Sequence, residues 1–124
     1  MAYTNTVTPI GEDPNSLVQF SPYGTLAVAA SNSSAHASFT TALSLGANRV
    51  MVQNECTVTA YVAFGQAALG TVTAAAPSGT ESSNSTPVLA GAIMILTKGA
   101  ENDTVAVILP SSTGNVYFTA GEGV

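Results

Sequence analysis

The sequence has 124 residues, of which 46% are hydrophobic and only 7% are charged. Its formal net charge is -5 and its two cations are Arg49 and Lys98, too few to bind a nucleic acid backbone or an anionic membrane surface. Soluble domains usually carry about 25% charged residues. A surface with so few charges can be buried against other subunits at low desolvation cost, which favours a role in an assembly. The alternative interpretation is a neutral polar surface that has no partner.

Residues 1–24 are predicted to form an extended N-terminal arm. Pro9, Pro14 and Pro22 fix backbone angles and remove hydrogen-bond donors, which disfavours regular structure. A disordered terminus is the alternative, but apolar side chains serve little purpose in a solvated tail. We therefore expect the arm to lie on its own domain or on a neighbour. The predicted interface residues are Val7, Ile10, Leu17, Val18, Phe20 and Tyr23.

Alternation of apolar and polar residues predicts strands in the next part of the chain. The expected strands are 25–30, 35–43, 49–52 and 57–64, the last with the clearest period of two. Polar or glycine-containing clusters predict turns between them. These turns are expected at 31–34, 46–48 and 54–55.

The stretch 66–87 is predicted to be a long irregular loop with one short strand near Val72. Three more strands are expected beyond it, and the continuous apolar run 93–96 indicates a strand covered on both faces. The other two are 104–109 and 116–119. Seven or eight short strands with turns between them predict an all-β domain at 25–124, a small antiparallel β-sandwich or jelly roll.

Few residues have side chains suited to catalysis or metal binding. The only histidine, His36, falls on the polar face of a predicted strand with no acid near it in sequence, so a surface role is favoured over catalysis. The lone Cys56 is predicted to be a small buried hydrophobe. Glu101–Asp103 offers oxygen ligands but lacks the spacing of a calcium loop. We therefore expect no enzyme activity, cofactor, metal or small-molecule substrate.

No targeting or membrane segment is predicted. The N-terminal residues lack the basic and apolar regions of a secretory signal. The longest apolar run, 88–96, is about half the length that a bilayer-spanning helix needs. We expect synthesis in the cytoplasm without a cleaved signal.

The part of the chain from Arg49 onward, somewhat over half of it, carries a family resemblance. The segments concerned are Val50-Met51-Val52-Gln53-Asn54, Ala60-Tyr61-Val62-Ala63-Phe64-Gly65, Thr86-Pro87-Val88-Leu89-Ala90-Gly91 and Val116-Tyr117-Phe118-Thr119-Ala120-Gly121-Glu122-Gly123-Val124. They resemble small β-rich virion structural proteins of tailed bacteriophages, most of all capsid decoration (cement) proteins. The resemblance implies a virion component on the capsid surface, made in the host cytoplasm. Its implied partners are the major capsid protein and copies of itself, as trimers.

Two other classes of function remain as alternatives. A tail-associated or fibre-type recognition module would contact the host through the loop 66–87, but that loop contains no aromatic residue. A small hydrolase would depend on His36, which has no acid or nucleophile at a suitable spacing. The residues favour the structural role.

Overall fold

Eight strands form two four-stranded antiparallel sheets in the computed structural model, which describes residues 20–80 and 82–123. Val7, Ile10, Leu17 and Val18, with most of the predicted arm, lie outside these residues. The strands are β1 Phe20–Ala30, β2 Ala35–Ser38, β3 Arg49–Asn54, β4 Ala60–Gly65, β5 Thr86–Val88, β6 Ile93–Thr97, β7 Thr104–Ile108 and β8 Gly114–Gly123. A one-turn helix, α1 Ala42–Leu45, and a 3-10 helix, Ala67–Leu69, complete the secondary structure.

The strand order is that of a jelly roll. Sheet A has the order β1-β8-β3-β6, and sheet B has the order β2-β7-β4-β5. The chain passes from one sheet to the other at every connection except that between β4 and β5, which are neighbours in sheet B. The predicted all-β sandwich is confirmed, and of the two architectures that the sequence left open, this connectivity is the jelly roll.

The core lies between the two sheets and is built mainly from valine. In β3 burial alternates strictly, with Val50 and Val52 fully buried and Met51 and Gln53 partly exposed. β-Branched side chains suit a pleated surface because their few rotamers cost little to fix there. The largest fully buried apolar side chains are Phe118, Leu109, Val50, Val52, Val62, Val88, Val105, Val107 and Val116.

Several predicted boundaries differ from the observed ones. The strand β1 begins at Phe20, so residues 20–24 of the predicted arm belong to the sheet and pair with β8. The predicted strand 35–43 ends at Ser38, and α1 follows because Thr41 caps it, its Oγ1 accepting from the Ser44 amide at 3.2 Å. The strand expected at 57–64 begins only at Ala60, and among the described residues no strand forms near Val72.

The predicted burial of the 93–96 run is wrong. These residues form β6, an edge strand in which Ile93 remains 58% exposed. The strand covered on both faces is β7, where Val105, Ala106 and Val107 are each fully buried. Both runs are apolar, and only the sheet order distinguishes the central strand from the edge.

Candidate interaction surface

The outward surface of sheet A is bordered by β1 and β6. Because alternate residues of β3 and β8 point into the core, the residues between them point to solvent. The strand registers align these residues in rows across the four strands. We call this surface the A face, and its members are Ala27, Tyr117, Gln53 and Ile93 in one row, Thr25, Thr119, Met51 and Ile95 in the next, and Arg49 and Thr97 in the third.

Arg49 is the only charged member of the A face, and the Glu55 carboxylate borders the face at its opposite end, where Gln53 Nε2 donates to it at 2.5 Å. Arg49 lies at one end of β3, and its Nη1 donates to the Thr97 hydroxyl at 2.9 Å. Thr25 and Thr119 share a hydrogen bond of 2.8 Å between their hydroxyls. The rest of the face is therefore apolar, amide or hydroxyl surface, which loses little hydration energy when another protein covers it.

The other cation of the sequence is buried. Lys98 is 2% exposed, and its ammonium group lies 5.9 Å from the centre of the Phe39 ring. Its Nζ donates to the carbonyl oxygens of Leu45 and Gly99, each at 3.1 Å, and to that of Asn102. Burial lowers the pKa of Lys98, although nearby carboxylates oppose this. Among the residues that the structure describes, Arg49 is thus the one Lys or Arg side chain at the surface.

The edge strand β6 leaves apolar side chains in solvent. Besides Ile93, Met94 is 36% exposed, and Leu89 in the preceding turn is 65% exposed. Ile93 belongs to the A face, whereas Met94 lies opposite the buried Val52 and so on the other side of the sheet. An exposed apolar edge of this kind is a feature that other proteins can cover.

Asn54 stabilises the turn that precedes β6 through side-chain and backbone hydrogen bonds. Its side chain is fully buried, and its Nδ2 lies within hydrogen-bond distance of the carbonyl oxygens of Val88 (2.9 Å) and Leu89 (3.2 Å). Its backbone N–H donates to Ala92, while Gly91 donates back to the Asn54 carbonyl, both at 3.0 Å. Gly91 has a φ of 74°, a left-handed conformation that favours glycine. The start of β6 is therefore fixed to β3 and not free to detach.

Two of the predicted interface residues are within the described chain. Phe20 is half-buried on β1, and its ring packs so closely on Gly121 that a Cβ there would lie 2.6 Å from a ring carbon. Tyr23 is partly buried against the protein's own core. Phe20 therefore borders the A face, whereas Tyr23 contributes to the stability of the domain.

The structure also places the residues considered for chemistry. His36 is exposed on β2, and Cys56 is 5% exposed, as predicted. Burial and the adjacent Glu55 carboxylate raise the pKa of the Cys56 thiol. Within residues 20–80 and 82–123, no three His, Cys, Asp or Glu side chains cluster as a metal site would require, and no helix is long and apolar enough to cross a membrane.

The described residues line depressions at two places on the surface. One, of about 90 Å³, lies between β1 and the segment 39–44, and another, of about 290 Å³, lies beside the 3-10 helix. Their linings consist of apolar, hydroxyl, amide and backbone groups. Leu69, at the end of the 3-10 helix, lines the second depression and is 81% exposed.

Sequence reasoning identified an uncharged surface but not the A face itself. The sequence signal that could have located this face is the pair Met51 and Gln53, which alternate with the buried valines of β3. Comparison with known protein families, with curated proteins and with solved structures finds no match to this chain. The surface is accordingly interpreted from its own geometry and chemistry.

Proposed function

We propose that this chain is a non-enzymatic structural protein of a tailed-bacteriophage virion, a capsid decoration (cement) protein. It is made in the host cytoplasm, binds the outside of the head through the major capsid protein and stabilises contacts between coat subunits. The observation that carries the structural role is the A face, a four-stranded sheet surface whose only charged member is Arg49. Such a face is suited to lasting burial against protein.

The assignment to a phage head is supported by the family resemblance of the segments from Arg49 onward. The jelly roll alone does not choose a function, because it serves in viral capsids, lectins and cupins alike. Attachment at many equivalent lattice positions would let a modest contact stabilise a whole head. The N-terminal residues 1–19 would add contact area as an arm lying on the capsid.

The proposal is tested with purified heads of the encoding phage that lack this protein. We expect the full chain to cosediment with heads at saturable stoichiometry and to raise the temperature at which they release DNA. Met51→Lys places a charge at the centre of the A face and should weaken binding by about tenfold, equivalent to about 1.4 kcal/mol. Since few charges take part, binding of the unmodified protein should change little with salt.

The matched control is His36→Lys, which adds the same charge to an exposed position of β2 in sheet B. It should bind heads as tightly as the unmodified protein. Binding confined to tails or host cells would contradict a role on the head and favour the tail-associated module. Equal binding by Met51→Lys would show that the A face is not the contact.

A further inference from the structure

The outer edge of β6 presents unpaired backbone groups. Asn54 donates to Ala92 and Lys98 donates to Asn48, which fixes the register of β3 and β6 at both ends. In an antiparallel ladder, hydrogen-bonded and non-hydrogen-bonded pairs alternate. Met94 and Leu96 therefore bond to β3, whereas the N–H and C=O groups of the other three residues point away from the sheet. Those residues are Ile93, Ile95 and Thr97.

The other three edge strands carry features that block pairing. A register shift interrupts β1 between Pro22 and Gly24. β5 has three residues and includes Pro87, and β2 has only four residues. Bulges, prolines and short length are the usual protections of a sheet edge. Among the described edge strands of five or more residues, β6 is free of proline, charge and bulge along its whole length, whereas β1 is free of them only at residues 24–30.

We propose that two copies of this chain associate through β6, antiparallel about a twofold axis at Ile95. In this register Ile95 faces its counterpart, Ile93 faces Thr97 and Met94 faces Leu96 of the second copy. The outward N–H and C=O groups of three residues in each copy then pair across the axis. The two A sheets become one eight-stranded sheet.

The properties of the sheet edges favour a second copy of this chain as the partner of β6. Pairing of β6 with residues 24–30 of β1 in another copy would be heterologous and would continue from copy to copy, whereas pairing of β6 with β6 closes about a twofold axis. The pairing is self-complementary, because apolar residues face apolar residues or threonine and no charge is buried. The antiparallel orientation also directs the Arg49 end of one copy toward the Glu55 end of the other. These opposite charges lie at the rim.

The twofold contact joins the two A faces into one surface of double width. The contact is only one strand wide and therefore smaller than the roughly 800 Å² per partner of a standard interface. A dissociation constant on the order of micromolar is expected. This inference does not depend on the capsid proposal, since it concerns the protein alone in solution.

The test measures the oligomeric state of the full chain by sedimentation equilibrium from about 0.1 µM to about 1 mM, a range that spans the expected dissociation constant. We expect a monomer–dimer equilibrium. Ile95→Lys places two ammonium groups face to face at the axis and should weaken dimerisation by at least about tenfold. Circular dichroism monitors the fold of each variant.

Thr25→Lys is the matched control, because Thr25 lies in the same row of the A face as Ile95 but on the opposite edge strand. It should dimerise as the unmodified protein does. Amide hydrogen exchange gives an independent readout: the N–H groups of Ile93, Ile95 and Thr97 should become protected as concentration rises. A monomer throughout, a closed trimer, or equal effects of the two lysine variants would overturn the proposal, and association only with a different protein would assign the edge to that partner.

Discussion

At the scale of single residues, buried polar side chains stabilise the loops of the sandwich through hydrogen bonds to backbone carbonyl groups. Lys98 joins carbonyl groups from α1 and from the β6–β7 turn, and Asn54 joins the ends of β3 and β5. Neither role could be predicted from sequence, because each side chain also bonds an acceptor far along the chain: Leu45 lies 53 positions from Lys98, and Val88 lies 34 positions from Asn54. The burial of Cys56 and the exposure of His36, by contrast, follow from local pattern.

Replacing Lys98 by methionine tests the buried ammonium group. The change keeps an apolar stem but leaves three backbone carbonyls without their donor, so the free energy of unfolding should fall by about 3 kcal/mol. The matched control, Arg49→Met, removes the half-buried cation of the A face and should change stability by no more than about 0.5 kcal/mol. Urea unfolding at neutral pH measures both. An equal loss of unfolding free energy in the two variants would contradict a stabilising role for the hydrogen bonds of the Lys98 ammonium group.

Asp103 should make stability depend on acidic pH. Its Oδ1 accepts from the Ala67 amide at 3.0 Å and from the Thr104 hydroxyl at 2.8 Å, and these bonds lower the pKa of the carboxyl below its ordinary value of 3.8. A lowered pKa in the folded state means that the stabilisation is present above the ordinary value and is lost as pH falls through the folded value. The free energy of unfolding of the unmodified protein should therefore exceed that of Asp103→Asn above the ordinary pKa, and this difference should shrink as pH falls through the lowered pKa.

A second variant separates this hydrogen bond from general acid effects. Ala67→Pro removes the donated N–H, and proline is tolerated at the first position of a helical turn when the preceding residue is extended, as Gln66 is. Its unfolding free energy, followed by urea titration from neutral pH to about pH 2, a range that brackets the reference pKa of a carboxyl, should depend less on acid. An unchanged acid dependence in both variants would contradict the assignment to Asp103.

At the scale of elements, alternation predicted the strands but not their neighbours. The pattern of Val50, Met51 and Val52 identified β3 because one of its faces is buried and the other is solvated. The apolar runs of β6 and β7 have no such alternation, and whether a run lies centrally or at an edge depends on pairings between distant segments. α1 was missed because one turn of helix leaves too short a periodic signal.

Truncation tests where the domain begins. Removing residues 1–24 deletes five residues of β1, including Phe20 against Gly121 and Tyr23 against the core. Removing residues 1–19 spares all of these contacts. The longer deletion should therefore be less stable than the shorter one by at least about 2 kcal/mol, from lost apolar burial and lost strand pairing. Thermal and urea unfolding measure the difference, and equal stability would place the true boundary after Gly24.

At the scale of the whole molecule, the few charges are arranged so that one broad face is nearly free of them. Composition predicted a neutral surface but could not say where it lies, because the A face combines residues from four strands spread between Thr25 and Thr119. Burial of Lys98 leaves Arg49 as the surface cation and makes the exterior more acidic than the formal charge suggests. The proposed capsid contact and the proposed twofold edge use adjoining parts of this face.

The pairing of β1 with β8 has a consequence for synthesis of the protein. Phe20 lies opposite Gly123 and Ala30 opposite Gly114, so the first described strand leaves the ribosome long before its partner is made. At ordinary translation speeds the delay is roughly 5–20 s. Sheet A consequently closes only after β8 has been made, in one late step governed by long-range contacts. A product cut short before β8 would lack both the β1–β8 and the β3–β8 pairings.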